Sequence, residues 1–197
     1  MGKIYCIMGK SATGKDTIYK RLLADEKLHL KKIVTYTTRP IRVGEKPGEE
    51  YFFIGEEEVK KLTNEGKIVE LRAYNTVHGI WKYMTVADEN IDLKNHDYLI
   101  IGTPESYKGC VQFFGPDVMV PILVTVDDGE RLERALKRER KQEHPKYEEM
   151  CRRFLADAED FSDEKIQQAG IEKSFENNSL EECYKEITDY ILGGRDV

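Results

Sequence analysis

The sequence predicts an α/β protein in which a parallel sheet lies between helices and one stretch forms an inserted lobe. Three observations predict it. Short, almost continuous apolar runs at Ile4–Met8, Tyr98–Ile101 and Val118–Val126 have the length and composition of strands buried on both faces. Segments with helical spacing follow these runs, as in Thr17–Leu23, where Ile18, Leu22 and Leu23 recur with Tyr19. Residues 35–91 break this alternation and are rich in turn formers.

Along the chain, a helix is expected from near Lys15, and a short helix at Glu56–Glu65 ends at Gly66. "KIVELRAY" reads as a strand inside the lobe, while "NTVHGIWKY" reads as irregular and would displace Tyr83. Arg131–Lys141 and Tyr147–Gln168 read as two charged amphipathic helices. Gly170–Phe175 supplies a last strand, and the final helix places Leu180, Cys183, Tyr184, Ile187 and Ile191 on one face.

The chain has 197 residues, 40% hydrophobic and 35% charged, enough for one substantial core and too short for two ordinary domains. A net charge of -6 and a pI near 5.4 disfavour long polyanions such as nucleic acid but leave room for one small anion in a local basic cleft. No secretory signal or membrane-spanning run is apparent, and Cys6, Cys110, Cys151 and Cys183 lack paired spacing, as expected of reduced thiols in the cytoplasm. The four histidines are scattered and read as surface or structural residues.

The first chemical signal is "GKSATGKD", Gly9–Asp16, between the first strand and the first helix. Gly9, Gly14 and Lys15 have the spacing of a loop that cradles phosphates with backbone N–H groups at a helix N-terminus, although Asp16 stands where serine or threonine is expected. The second signal is "TYTTRPIRVGEKPGEEYFF", which gathers Thr35, Thr37, Thr38, Arg39, Arg42 and Tyr51 around turns. Two guanidinium forks three residues apart can grip one phosphate, with Tyr51 adding a hydroxyl; the stretch taken by itself favours a solvated hairpin with arginines paired to Glu45, Glu49 or Glu50.

"TTRPIRVGEKPGEEYFF", followed by "GKIVELRAY" and preceded by the glycine-lysine loop, resembles the guanylate kinase family, from about Lys3 to the last helix. The resemblance implies a P-loop NTPase core of three layers with a parallel sheet, at 1–34 and 92–197. It also implies an acceptor-nucleotide lobe at about 35–91 and a helical lid at about 134–153. It implies phosphoryl transfer from ATP to GMP, with Mg2+ accompanying ATP. Gly9, Lys10, Ser11, Ala12, Thr13, Gly14, Lys15, Asp16 and Thr17 would hold ATP, with Asn177 near the adenine. Lys15, Arg134, Arg138 and Arg153 would carry catalysis by neutralising the transferred phosphoryl group. Arg39, Arg42 and Tyr51 would hold the GMP phosphate, Thr35 would lie near the base, Glu70 would accept from guanine N1 and N2, and Tyr83 and Thr103 would complete the acceptor site.

Two departures qualify that pattern. The strand ending at Ile101 runs into Gly102-Thr103-Pro104, where the family has acidic residues serving magnesium and guanine, and the tyrosine pair that follows the family's glutamate is replaced. The expectation is that the carboxylate has moved to Asp16, which would bind magnesium; alternatively Asp16 only favours the helix dipole. Two other readings remain open on the sequence: a related kinase for another small phosphorylated acceptor, and a non-catalytic module that holds a phosphopeptide.

Overall fold

The computed structural model describes residues 1–42, 44–76 and 79–194. Its larger sheet is parallel throughout, in the order β2 (Lys31–Lys32), β7 (Tyr98–Gly102), β1 (Ile4–Met8), β8 (Met119–Thr125) and β9 (Ser174–Glu176). Alternation along β1 builds two cores. Ile4, Cys6 and Met8 face one side, where Tyr107 and Cys110 of α3 (Pro104–Phe114) pack with Phe161 and Ile171. Tyr5 and Ile7 face the other, against Ile18 and Leu22 of α1 (Lys15–Ala24) and Cys183, Ile187 and Ile191 of α7 (Leu180–Gly193). The result is the expected three layers, and each aliphatic side chain buried there contributes roughly 1.5–3 kcal/mol.

A second sheet has the order β4 (Phe52–Phe53), β3 (Tyr36–Thr37), β6 (Gly79–Val86) and β5 (Ile68–Thr76). Its small core joins Met84 and Val86 to Val59 and Leu62 of α2 (Glu56–Asn64). β5 and β6 form an antiparallel ribbon with Arg72 opposite Tyr83, and a bulge between Ile68 and Glu70 shifts the register so that Glu70 faces Thr85. The ribbon lies against α3: a Cβ on Gly109 would come within 2.7 Å of the Glu70 Cβ. "NTVHGIWKY" is therefore not irregular, because it contains the end of β5 and the first half of β6, with Val77 and His78 outside the described residues.

Two helix expectations are also corrected. The first charged helix, α4, is Asp128–Glu139, starting before Arg131 because Asp127 caps it by accepting the Gly129 and Glu130 N–H groups. The stretch Tyr147–Gln168 is two helices, α5 (Tyr147–Asp160) and α6 (Asp163–Gln168). Phe161 turns into the core between them, and Ser162 caps the second by accepting the Lys165 N–H. No described helix is long and apolar enough to cross a membrane.

Candidate active site

The loop after β1 is shaped by contacts that few residues tolerate. A Cβ on Gly9 would lie 2.5 Å from the Val124 carbonyl oxygen. Ala12 and Gly14 adopt left-handed φ of 65° and 86°, a geometry that gathers backbone N–H groups into an anion-binding concavity. Thr13 is buried and its hydroxyl donates to the Lys10 carbonyl at 2.9 Å. Lys15 opens α1, with Nζ 3.5 Å from Asp16, whose side chain is 68% exposed. Lys10 reaches Asp128 at 3.3 Å, and Thr17 is exposed on the helix. Asn177 is buried beneath this loop, its amide donating to the Thr13 carbonyl at 2.7 Å. That bond makes Asn177 a brace of the loop.

In the second sheet Arg39 is 3% exposed. Its fork closes on Glu45, Nη1 to Oε2 at 3.0 Å and Nη2 to Oε1 at 2.8 Å. Glu45 also accepts the Arg42 backbone N–H at 2.8 Å. Burial works against the Arg39 charge, but Glu45 and Tyr83 outweigh it and hold the guanidinium above its ordinary value. The Tyr51 ring lies 5.4 Å from Arg39 Cζ and 5.7 Å from the Tyr83 ring. Arg39, Tyr51 and Tyr83 thus form one cluster, and Tyr83 is not displaced. The Arg42 side chain is exposed instead of sharing the buried grip, and Thr35 contributes its carbonyl to the Phe52 N–H at 2.9 Å.

At the other end of this face, Glu70 Oε1 accepts from the Thr85 hydroxyl at 2.8 Å and Oε2 from Arg72 Nε at 3.0 Å. Arg72 Nη1 lies 3.5 Å from Thr103 Oγ1. Thr103 caps α3 in a capping box with Ser106. Because Met8 pairs with Gly102, the phosphate loop and Thr103 leave neighbouring strand ends side by side, the position where parallel sheets bind ligands.

The segment expected to form a lid, about 134–153, lies on α4 and α5. Arg134 contacts Glu130 and donates to the Asn177 carbonyl at 3.1 Å. Arg138 and Arg153 line a cavity of about 210 Å³ with Ser11, Lys146 and Phe154. Arg153 Nε pairs with Glu149 at 2.8 Å. Hydrogen bonding from Arg152, with that from Arg153, pulls the Glu149 carboxyl down to about 2.

Sequence reasoning missed Arg131 and Asp157. The Arg131 side chain is 1% exposed. Its guanidinium donates to the Ser11 carbonyl at 2.9 Å, to Asp157 at 3.0 Å and to Asp128, and stacks 4.9 Å from the Phe154 ring. Its position within a charged run hid it. Arg72 was missed as well, although its spacing of two from Glu70 on a strand is a readable signal that both share a face.

Residues 1–90 match the family model described as guanylate kinase. The guanylate kinase of Mycoplasma mobile is 45% identical over 82 residues, covering 41% of this chain and 41% of that protein. That of Anaplasma phagocytophilum is 30% identical over 109 residues, covering 55% of this chain and 51% of that protein. The chain thus spans about half or less of the length of these curated relatives. The crystal structure of guanylate kinase from Anaplasma phagocytophilum matches with a TM-score of 0.66 at 20% identity, covering 98% of this chain and 85% of that one, and shows the shared P-loop NTPase fold.

Proposed function

We propose that this chain, similar to guanylate kinases in sequence over residues 1–90 and in fold over nearly its whole length, transfers the terminal phosphoryl group of ATP to GMP. An oxygen of the GMP phosphate forms the new bond to the γ-phosphorus, the bond to the bridging oxygen breaks, and ADP and GDP leave. The observation that supports the reading is the pairing of Met8 with Gly102, which leaves the Lys15 loop and Thr103 at neighbouring strand ends, with Thr103 3.5 Å from Arg72, the partner of Glu70. Lys15 would neutralise the donor phosphates, Arg39 and Tyr51 would hold the acceptor phosphate, and Arg134, Arg138 and Arg153 would approach the transferred group as the lid closes.

Magnesium accompanying ATP would supply charge neutralisation, with Asp16 as the residue that would hold it. Among the described residues no group of three His, Cys, Asp or Glu could hold a metal. A lone carboxylate at Asp16 fits an ion held mostly by water and phosphate oxygens. The reaction belongs in the cytoplasm, supported by four unpaired cysteines, three of them buried. Its partners are the two nucleotides, with no part for nucleic acid, in keeping with the acidic charge balance.

One observation favours a second reading: Arg72 occupies Glu70, which suits a small phosphorylated acceptor other than GMP. A coupled ADP-release assay with magnesium-ATP, run against nucleoside monophosphates and sugar phosphates, separates the two. The GMP reading requires GMP to give the highest kcat/KM. Turnover confined to another acceptor selects the second, and no turnover with any acceptor removes both.

A further inference from the structure

Resting on the GMP reading above, the geometry points to Arg72 as a specificity-determining residue that competes with guanine for Glu70 and so narrows the preference for GMP over other nucleoside monophosphates. Glu70 is buried, and both of its oxygens are engaged from within the protein, by Thr85 at 2.8 Å and by Arg72 at 3.0 Å. The Arg72 side chain is itself only 14% exposed. Strand alternation sets Glu70, Arg72 and Tyr74 on one face, with Tyr83 opposite Arg72. Tyr83 contacts Tyr51, and Tyr51 lies beside Arg39. Arg72 therefore stands between the residues that would grip the acceptor phosphate and the carboxylate that would read its base.

The chemistry makes this a competition. Guanine presents N1–H and N2–H donors in one plane, and a guanidinium presents planar N–H donors of the same kind. Arg72 Nε already holds Glu70 Oε2, and its positive charge would oppose a second set of donors at the same carboxylate. Guanine gains Glu70 fully only by displacing Arg72. Tyr74 on the same face also hydrogen-bonds Arg72, so the displaced guanidinium keeps one partner. A base that makes no use of Glu70 leaves Arg72 where it is and bears none of this cost.

The test is equilibrium binding of GMP and CMP, without ATP, to the wild type, Arg72→Ala and Arg72→Gln, each checked for a cooperative thermal melt. A charge-assisted hydrogen bond of this kind corresponds to roughly tenfold or more in affinity. The expected result is that both variants bind GMP roughly tenfold more tightly, that CMP affinity does not rise, and that the gain disappears when Glu70→Gln is added. Arg72→Gln keeps a neutral partner for Glu70 and serves where Arg72→Ala fails to fold. An unchanged ratio of GMP to CMP affinity in a folded variant overturns the inference and leaves the GMP reading standing. Failure of wild type and variants alike to bind GMP overturns both.

Discussion

The Asp157 carboxylate on α5 accepts the Ser11 backbone N–H of the phosphate loop at 2.7 Å. The same oxygen takes a hydrogen bond from the buried Arg131 at 3.0 Å, and Arg131 returns to the Ser11 carbonyl at 2.9 Å. One ion pair thus ties both polar groups of a loop residue to α4 and α5. Removing Asp157 leaves Arg131 with Asp128 and the Ser11 carbonyl, so the cost stays below the roughly 3–5 kcal/mol of a fully stranded buried charge, and the Ser11 N–H loses its acceptor. Asp157→Ala should therefore lower Tm clearly and raise the KM for ATP. Arg131→Leu combined with Asp157→Ala should recover part of that loss, and a double variant whose loss is the plain sum of the singles would show that the pair is not coupled.

Glu45 accepts both arms of the Arg39 fork, which fixes the orientation of the guanidinium. Arg39→Ala should raise the acceptor KM by roughly a hundredfold while changing the ATP KM little, since a charge-assisted contact to one substrate is lost. Steady-state kinetics with each substrate varied in turn checks this; equal effects on both would remove Arg39 from the acceptor site.

Asp16 is mostly exposed and only 3.5 Å from Lys15. If it serves the magnesium that arrives with ATP, Asp16→Asn should need several-fold more magnesium for half-maximal rate. Asp16→Ser should restore only part of that dependence. Identical magnesium curves for wild type and both variants would assign Asp16 to the helix dipole alone.

Glu149 has its carboxyl lowered from the usual 4.5 to about 2, first by Arg152 and then by Arg153. A lowered value in the folded state gives stability that is present above about pH 4.5 and lost as pH falls toward about 2. The Tm gap between wild type and Glu149→Gln should be greatest above pH 4.5 and close toward pH 2. A gap that stays constant over this window would place the ion pairs outside the folding balance.

Much of the core was legible because buried parallel strands advertise themselves. Ile4–Met8 and Tyr98–Ile101 are almost wholly apolar, and the structure buries Ile4–Met8 completely. The β6 strand was not, because its face pattern passes from exposed through intermediate to buried along Gly79–Val86 and never shows a clean alternation. Lys31–Lys32 is too short and polar to carry any period. Among the candidate site residues, Arg39, Tyr51 and Glu70 could be found from turn chemistry and resemblance. Arg72 was legible only through its spacing of two from Glu70 on a strand. Arg131 was not, because nothing local distinguishes a buried arginine from a solvated one when its partner Ser11 lies 120 residues away in the chain.

The central claim is phosphoryl transfer between two nucleotides across the Lys15 loop. Its most direct measurement is chromatographic analysis of products after the purified chain is incubated with magnesium-ATP and GMP, alongside Lys15→Ala. Lys15 opens α1 outside the apolar core, so that variant should fold as the wild type does. The account predicts ADP and GDP in equal amounts from the wild type and a loss of rate of at least about a thousandfold in the variant. Wild-type protein that melts cooperatively yet forms no GDP, or a folded Lys15→Ala that forms GDP at an undiminished rate, would contradict it.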